Sequence, residues 1–180
     1  MALKSSIHKV DLQIADMDRH YYASHLLTIA RHPSETSERL LYRIAAFALH
    51  ASDSLSFTKG ISSNDEPDLW RKSLSDEIEL WIDLGQPDEK RIRKAHGRAR
   101  QVVIYAYAPR AAAIWWQQNS ARLQRFERLG IHLLRCDGDI TALARRNMQL
   151  QANIQDGAFS LGDAENSVDI RVEHLKVLED

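Results

Sequence analysis

The chain has 180 residues, 44% apolar and 27% charged, with a formal net charge of -1. That length fits one domain, spanning 1–180, able to bury roughly 70% of its unfolded surface without disulfides or a structural metal. One cysteine, Cys136, excludes an internal disulfide; the near-neutral charge excludes attraction of nucleic acid to the molecule as a whole; and apolar runs such as 44–49 and 111–116 fall far short of the ~20 residues of a membrane-spanning helix.

Met1-Ala2-Leu3-Lys4-Ser5-Ser6 lacks an apolar signal segment and a small-residue cleavage site. With no disulfide, the expectation is a cytoplasmic, reducing location. Val10, Leu12 and Ile14 alternate with polar residues and predict a half-buried strand, and 21–30 predicts a second, joined by an Asp16-Met17-Asp18 turn. Pro33-Ser34-Glu35-Thr36 opens a helix, with Ser34 as the expected N-cap and Glu35 suited to the positive end of the helix dipole. Leu40, Leu41, Ile44, Phe47 and Ala48 give it an apolar stripe, and Ser52-Asp53-Ser54 ends it.

A short strand at 55–59 precedes a loop at 60–67. Strand 78–84, helix 88–101 capped by Asp88, and strand 102–107 form a βαβ unit whose strands should run parallel. Pro109 opens a helix through Gln118, with one of Trp115 and Trp116 expected in the core. A strand at 129–134 and a short helix at 139–146 follow. Alternation at Met148, Leu150, Ala152 and Ile154 runs into Asp156-Gly157, a two-residue hairpin signal that pairs Ile154 with Phe159 and Ala152 with Leu161. Val168, Ile170 and Val172 complete an antiparallel β-meander. The expected class is α/β, a mixed sheet with helices on it.

Several stretches together resemble the YaeQ family of small bacterial proteins. They are Met1-Ala2-Leu3-Lys4, Ala30-Arg31-His32-Pro33-Ser34-Glu35-Thr36, Asp65-Glu66-Pro67, Leu80-Trp81-Ile82-Asp83-Leu84-Gly85-Gln86-Pro87-Asp88-Glu89, Ile114-Trp115-Trp116-Gln117-Gln118-Asn119 and Gln151-Ala152-Asn153-Ile154-Gln155-Asp156-Gly157. They fall in the same order and span nearly the whole chain. The resemblance implies a compact variant of the PD-(D/E)xK restriction-endonuclease-like core, with the meander added to it. It implies little about activity beyond a loose association with transcription.

Chemistry of the nuclease kind needs carboxylates converging on Mg²⁺ or Mn²⁺, which take oxygen ligands and activate a bound water. Pro67-Asp68 is followed fifteen positions later by Asp83, on the same strand face as Glu79 and Trp81, and Glu38 lies in the first turn of the capped helix. The lysine usual two residues after the second acid is absent, since that position is Gly85; Lys90, early in the next helix, is the candidate substitute. The candidate catalytic set is therefore Glu38, Asp68, Asp83 and Lys90, with the three acids as metal ligands. Each acid has an ordinary alternative: Asp68 flanking a short helix, Asp83 solvated at a strand end, Glu38 pairing with Arg39 or Tyr42.

Residues 90–100 carry Lys90, Arg91, Arg93, Lys94, Arg98 and Arg100 opposite an Ile92/Ala95/Ala99 face. That stripe is either the wet side of an amphipathic helix or a phosphate-binding surface, in which Arg91, Arg93, Lys94 and Arg98 would contact nucleic acid. Two functions follow as expectations: a divergent metal-dependent phosphodiesterase, or a non-catalytic factor that binds nucleic acid or a protein through this helix.

Overall fold

The computed structural model describes residues 4–60 and 63–179. The Met1-Ala2-Leu3 part of the first YaeQ-like stretch, and residues 61–62 of the expected 60–67 loop, lie outside them. β1 (Ser6–Asp16) and β2 (Tyr21–Arg31) form a long antiparallel hairpin. α1 (Ser37–His50) follows, then β3 (Leu55–Phe57), β4 (Leu69–Lys72) and β5 (Ile78–Leu84) as antiparallel neighbours. α2 (Glu89–Arg98) crosses to β6 (Ala99–Ala106), which lies parallel to β5. α3 (Pro109–Leu123) crosses to β7 (Leu129–Asp137), parallel to β6. A 3₁₀ turn (Ile140–Leu143) leads to the meander β8 (Asn147–Gln155), β9 (Ala158–Gly162) and β10 (Ser167–Lys176).

All ten strands belong to one mixed sheet, in the order β2-β1-β8-β9-β10-β7-β6-β5-β4-β3. Its two ends meet on α1. The Phe47 ring lies 5.1 Å from His25 of β2 and 5.3 Å from Phe57 of β3, between ring centres. The sheet therefore curls almost closed, with α1 inside. Helix composition agrees: every residue from Leu40 to Ala48 is buried, as expected of a helix surrounded on all sides. α2 and α3 sit on the outer face, where Ile92, Ala95, Trp115 and Leu123 pack on Trp81, Val102 and Ile131.

The expected nuclease-type core with an appended meander is corrected by this topology. β8 pairs in parallel with β1 and β10 pairs with β7, so the meander is the middle of a barrel-like sheet and not an addition to a smaller core. Among the described residues, three α-helices decorate that sheet, one within and two without. The parallel β5–α2–β6 unit is present, and the Asp156-Gly157 turn pairs Ile154 with Phe159 and Ala152 with Leu161. Both turn residues have positive φ, 52° and 76°, the backbone such a hairpin requires. Asp18 secures the turn by accepting from the amides of Asp156 and Gly157 at 2.7 and 2.9 Å.

Local differences have local causes. Thr36, not Ser34, caps α1, its hydroxyl accepting from Arg39 N at 3.1 Å; Ser34 instead bonds His32. The expected helix at 139–146 is a single 3₁₀ turn, and β4 takes up residues whose Arg-Lys ending hides a strand pattern.

Candidate functional site

Asp68 and Asp83 line one cavity of about 240 Å³, between the loop before β4 and the start of α2. Asp68 directly precedes β4, and its amide donates to Ile82 O at 3.0 Å, which ties it to β5. Its carboxylate accepts from Arg39 Nη2 at 2.9 and 2.8 Å and from Leu84 N at 2.8 Å. Burial nevertheless holds the Asp68 carboxyl above the usual carboxylate range, with the charge of Asp83 adding to the effect and Arg39 opposing it. Asp83 lies near the end of β5, where its carboxylate accepts from Arg91 Nε and Nη2 at 2.8 Å each and from Trp81 Nε1 at 3.0 Å. Both aspartates are 2% exposed.

Arginines from two helices thus close the cavity from opposite sides. Arg39 comes from α1 and also donates to Glu35 at 3.1 Å. Glu35, likewise buried, holds Arg43 through two 2.8 Å bonds. Arg43 is wholly buried, and its Nη1 has no hydrogen-bond partner among the described residues. Gly60 (φ +63°) makes room there: a Cβ at this position would sit 3.3 Å from Arg43 Nη1. The result is a chain of alternating charges, Arg43–Glu35–Arg39–Asp68, beside the Asp83–Arg91 pair. Such arrays are stable only when every charge keeps its partner.

Glu38 lines a different cavity, with Tyr42, Cys136 and Asp139. The structure therefore brings Asp68 and Asp83 together and leaves Glu38 elsewhere. Lys90 is exposed on α2, outside the Asp68 cavity's lining. Among the described residues, no group of three or more His, Cys, Asp or Glu is arranged to hold a metal. Glu35, Arg39 and Arg43 were not picked out as site residues from sequence. Their signal lies in the four-residue spacing of Glu35, just before the Thr36 cap, with Arg39 and Arg43, which interrupt the apolar run of α1.

The basic residues of α2 divide by role. Arg91 turns inward to Asp83 and also donates to Glu66 O at 3.0 Å. Lys94 pairs with Asp65, and Arg98 donates to Asp65 O and lies 5.3 Å over the Trp81 ring. Arg93 pairs with Glu89 at 2.8 Å, and Glu89 also draws in Arg122 and Arg125 from α3 and the turn after it. These three guanidiniums hold the Glu89 carboxyl below its usual range. Trp115 is the core tryptophan, donating Nε1–H to Pro87 O at 2.9 Å, while Trp116 is half-buried. Among the described residues, no helix is long and apolar enough to cross a membrane.

Residues 1–172 match the family model described as "YaeQ protein". The chain is 46% identical over 175 residues to the uncharacterized protein YaeQ of Salmonella typhi, and 42% identical over 174 residues to that of Escherichia coli K12, covering 96% of each sequence in both cases. The crystal structure of the YaeQ protein from Xanthomonas axonopodis pv. citri superposes with a TM-score of 0.91 at 42% identity, covering 97% of this chain and 99% of that one. The YaeQ protein from Pseudomonas syringae gives 0.90 at 30% identity, covering 96% and 97%. The same barrel-like sheet thus recurs along whole chains whose sequences have diverged by more than half, and the chain belongs to the YaeQ protein family.

Proposed function

We propose that this protein binds the phosphate backbone of a nucleic acid across the outer face formed by α2 and α3. The observation that carries the reading is charge segregation. Residues 88–128 hold ten Lys and Arg against three Asp and Glu, and the three carboxylates from outside this range that pair with them, Asp83, Asp65 and Glu77, still leave an excess of four in a chain whose net charge is -1. Lys90, Arg93, Lys94, Arg98, Arg122 and Arg125 are all exposed on this face. Glu89 gathers Arg93, Arg122 and Arg125 between the two helices, and one carboxylate cannot neutralise three guanidiniums. Such a surplus is the electrostatic footprint of a polyanion site, because each phosphate bound releases counterions. Arg91 is left out of the contact set, since its donors are committed to Asp83 and Glu66 O.

Fluorescein-labelled single- and double-stranded DNA and RNA titrated with the protein test this. The expected result is micromolar or tighter binding at low salt, weakened at least tenfold when Lys90, Arg93 and Lys94 are all changed to Glu. Binding unaffected by the three reversals defeats the proposal.

The Asp68–Asp83 cavity favours a second reading, Mg²⁺- or Mn²⁺-assisted cleavage of the bound phosphodiester. Two carboxylates sharing one cavity supply the oxygen chemistry such cations take. Both already accept from guanidiniums, so a cation fits only if Arg39 or Arg91 swings away. Mn²⁺ titrated by calorimetry into wild type and Asp83→Ala decides it. A saturable site lost on substitution supports the reading, and equal weak heats in both remove it.

A further inference from the structure

His132 of β7 and His174 of β10 stand opposite each other in the antiparallel register. Their rings meet edge to face, with centres 4.8 Å apart and planes at 87°, and the two Nδ1 atoms are 2.8 Å apart. Two imidazole Nδ1 atoms at that distance share one proton: one nitrogen donates N–H and the other accepts it. The two nitrogens therefore face each other across a single proton between the strands. A tetrahedral Zn²⁺ with Zn–N bonds near 2.0–2.1 Å holds two ligand nitrogens about 3.3 Å apart. Opening the pair by roughly half an ångström converts a proton bridge into a metal bridge.

The surroundings suit that exchange. His174 is exposed, which gives a path from solvent. The ring of Tyr105, the register partner of His132 on β6, lies 5.4 Å from it between ring centres and flanks it on the side away from β10. Gly130 keeps space beside His132, because a Cβ there would sit 3.2 Å from His132 Nε2. Burial, and then the neighbouring His174, push the His132 imidazole down to about 4, so at neutral pH it is uncharged.

We propose that His132 and His174 form a two-imidazole site for a borderline-soft divalent cation of the Zn²⁺, Ni²⁺ or Cu²⁺ class, bridging β7 and β10. Imidazole ligands select these ions over Mg²⁺, which takes oxygen. This chemistry separates the site from the Asp68–Asp83 cavity. Water or a donor atom of a small ligand completes the coordination, so the site stays open to exchange.

Calorimetric titration of ZnCl₂ into the full chain at neutral pH tests the proposal. One saturable equivalent is expected in wild type, weakened at least tenfold in His174→Ala. That residue is exposed, and the variant's melting curve without zinc verifies that it folds. MgCl₂ in place of ZnCl₂ is expected to give no heat that the variant abolishes. No saturable zinc binding by wild type, or an unchanged isotherm in His174→Ala, overturns the site.

Discussion

Arg91 folds back from α2 onto Asp83, giving it two bonds of 2.8 Å, while its neighbours Arg93 and Lys94 stay on the exposed face. One helix therefore carries a structural arginine and a set of solvent-facing bases, and the two kinds respond differently to mutation. Arg91→Ala leaves a buried carboxylate without its counter-charge and is expected to cost about 3 kcal/mol in urea unfolding. Lys94→Ala, at a surface ion pair, is expected to cost under ~0.5 kcal/mol. Equal, small losses at both positions contradict the assignment of Arg91 to the cavity.

Among the described residues, Glu35 is the only carboxylate that hydrogen-bonds Arg43, and both are buried. Glu35→Ala is expected to destabilise by about 3–5 kcal/mol, because it strands a wholly buried guanidinium. Replacing the pair together, Glu35→Leu with Arg43→Met, is expected to recover much of that loss, since the Arg43 guanidinium is no longer stranded and Arg39 keeps Asp68. Urea midpoints for the two variants distinguish lost partnership from lost volume.

Phe47 joins both ends of the sheet through His25 and Phe57. Phe47→Ala is expected to cost about 3–5 kcal/mol from the cavity it leaves. Hydrogen exchange by NMR should show amides of β2 and β3 losing protection together. Loss confined to one of these strands contradicts closure of the sheet around α1.

Burial pushes the His50 ring down to about 3 and the His132 ring down to about 4. Both lie below the ~6.5 of an unfolded histidine. Above that value both states are neutral and the full stability is present. As pH falls below it, the unfolded chain takes up protons that the folded rings refuse, so stability drops until the folded values are reached. Two such rings give a slope of at most about 2.7 kcal/mol per pH unit. Urea midpoints between pH 7 and pH 4 should fall accordingly. His50→Gln, which preserves a partner for the Tyr105 hydroxyl, should flatten the slope by one proton's share.

Elements whose signal is local were legible in the sequence: the Asp156-Gly157 hairpin with its register, the Asp88-capped helix, and the parallel strands on either side of it. Closure of the sheet was not, because it depends on β1 pairing with β8 across more than 130 residues, and no local periodicity encodes that pairing. The misread architecture followed from this, since a meander seen only as consecutive hairpins looks like an appendage. Asp68 and Asp83 were named from sequence, but their partners were missed. β4 went unrecognised, and it is the strand that brings Asp68 beside β5. Arg39 and Arg43 lay hidden among the leucines and alanines of α1. The basic stripe of α2 was plain, although only tertiary contacts separate Arg91 from the rest.

The most direct test of the phosphate-binding face is the salt dependence of wild-type binding to a labelled oligonucleotide. With three to five of the exposed α2–α3 bases contacting phosphates, log K should fall linearly with log salt at a slope of about -2 to -5. The slope should shrink by about one per contacting base changed to alanine among Arg93, Arg122 and Arg125. A wild-type slope near zero, or one unchanged by all three substitutions, contradicts the account.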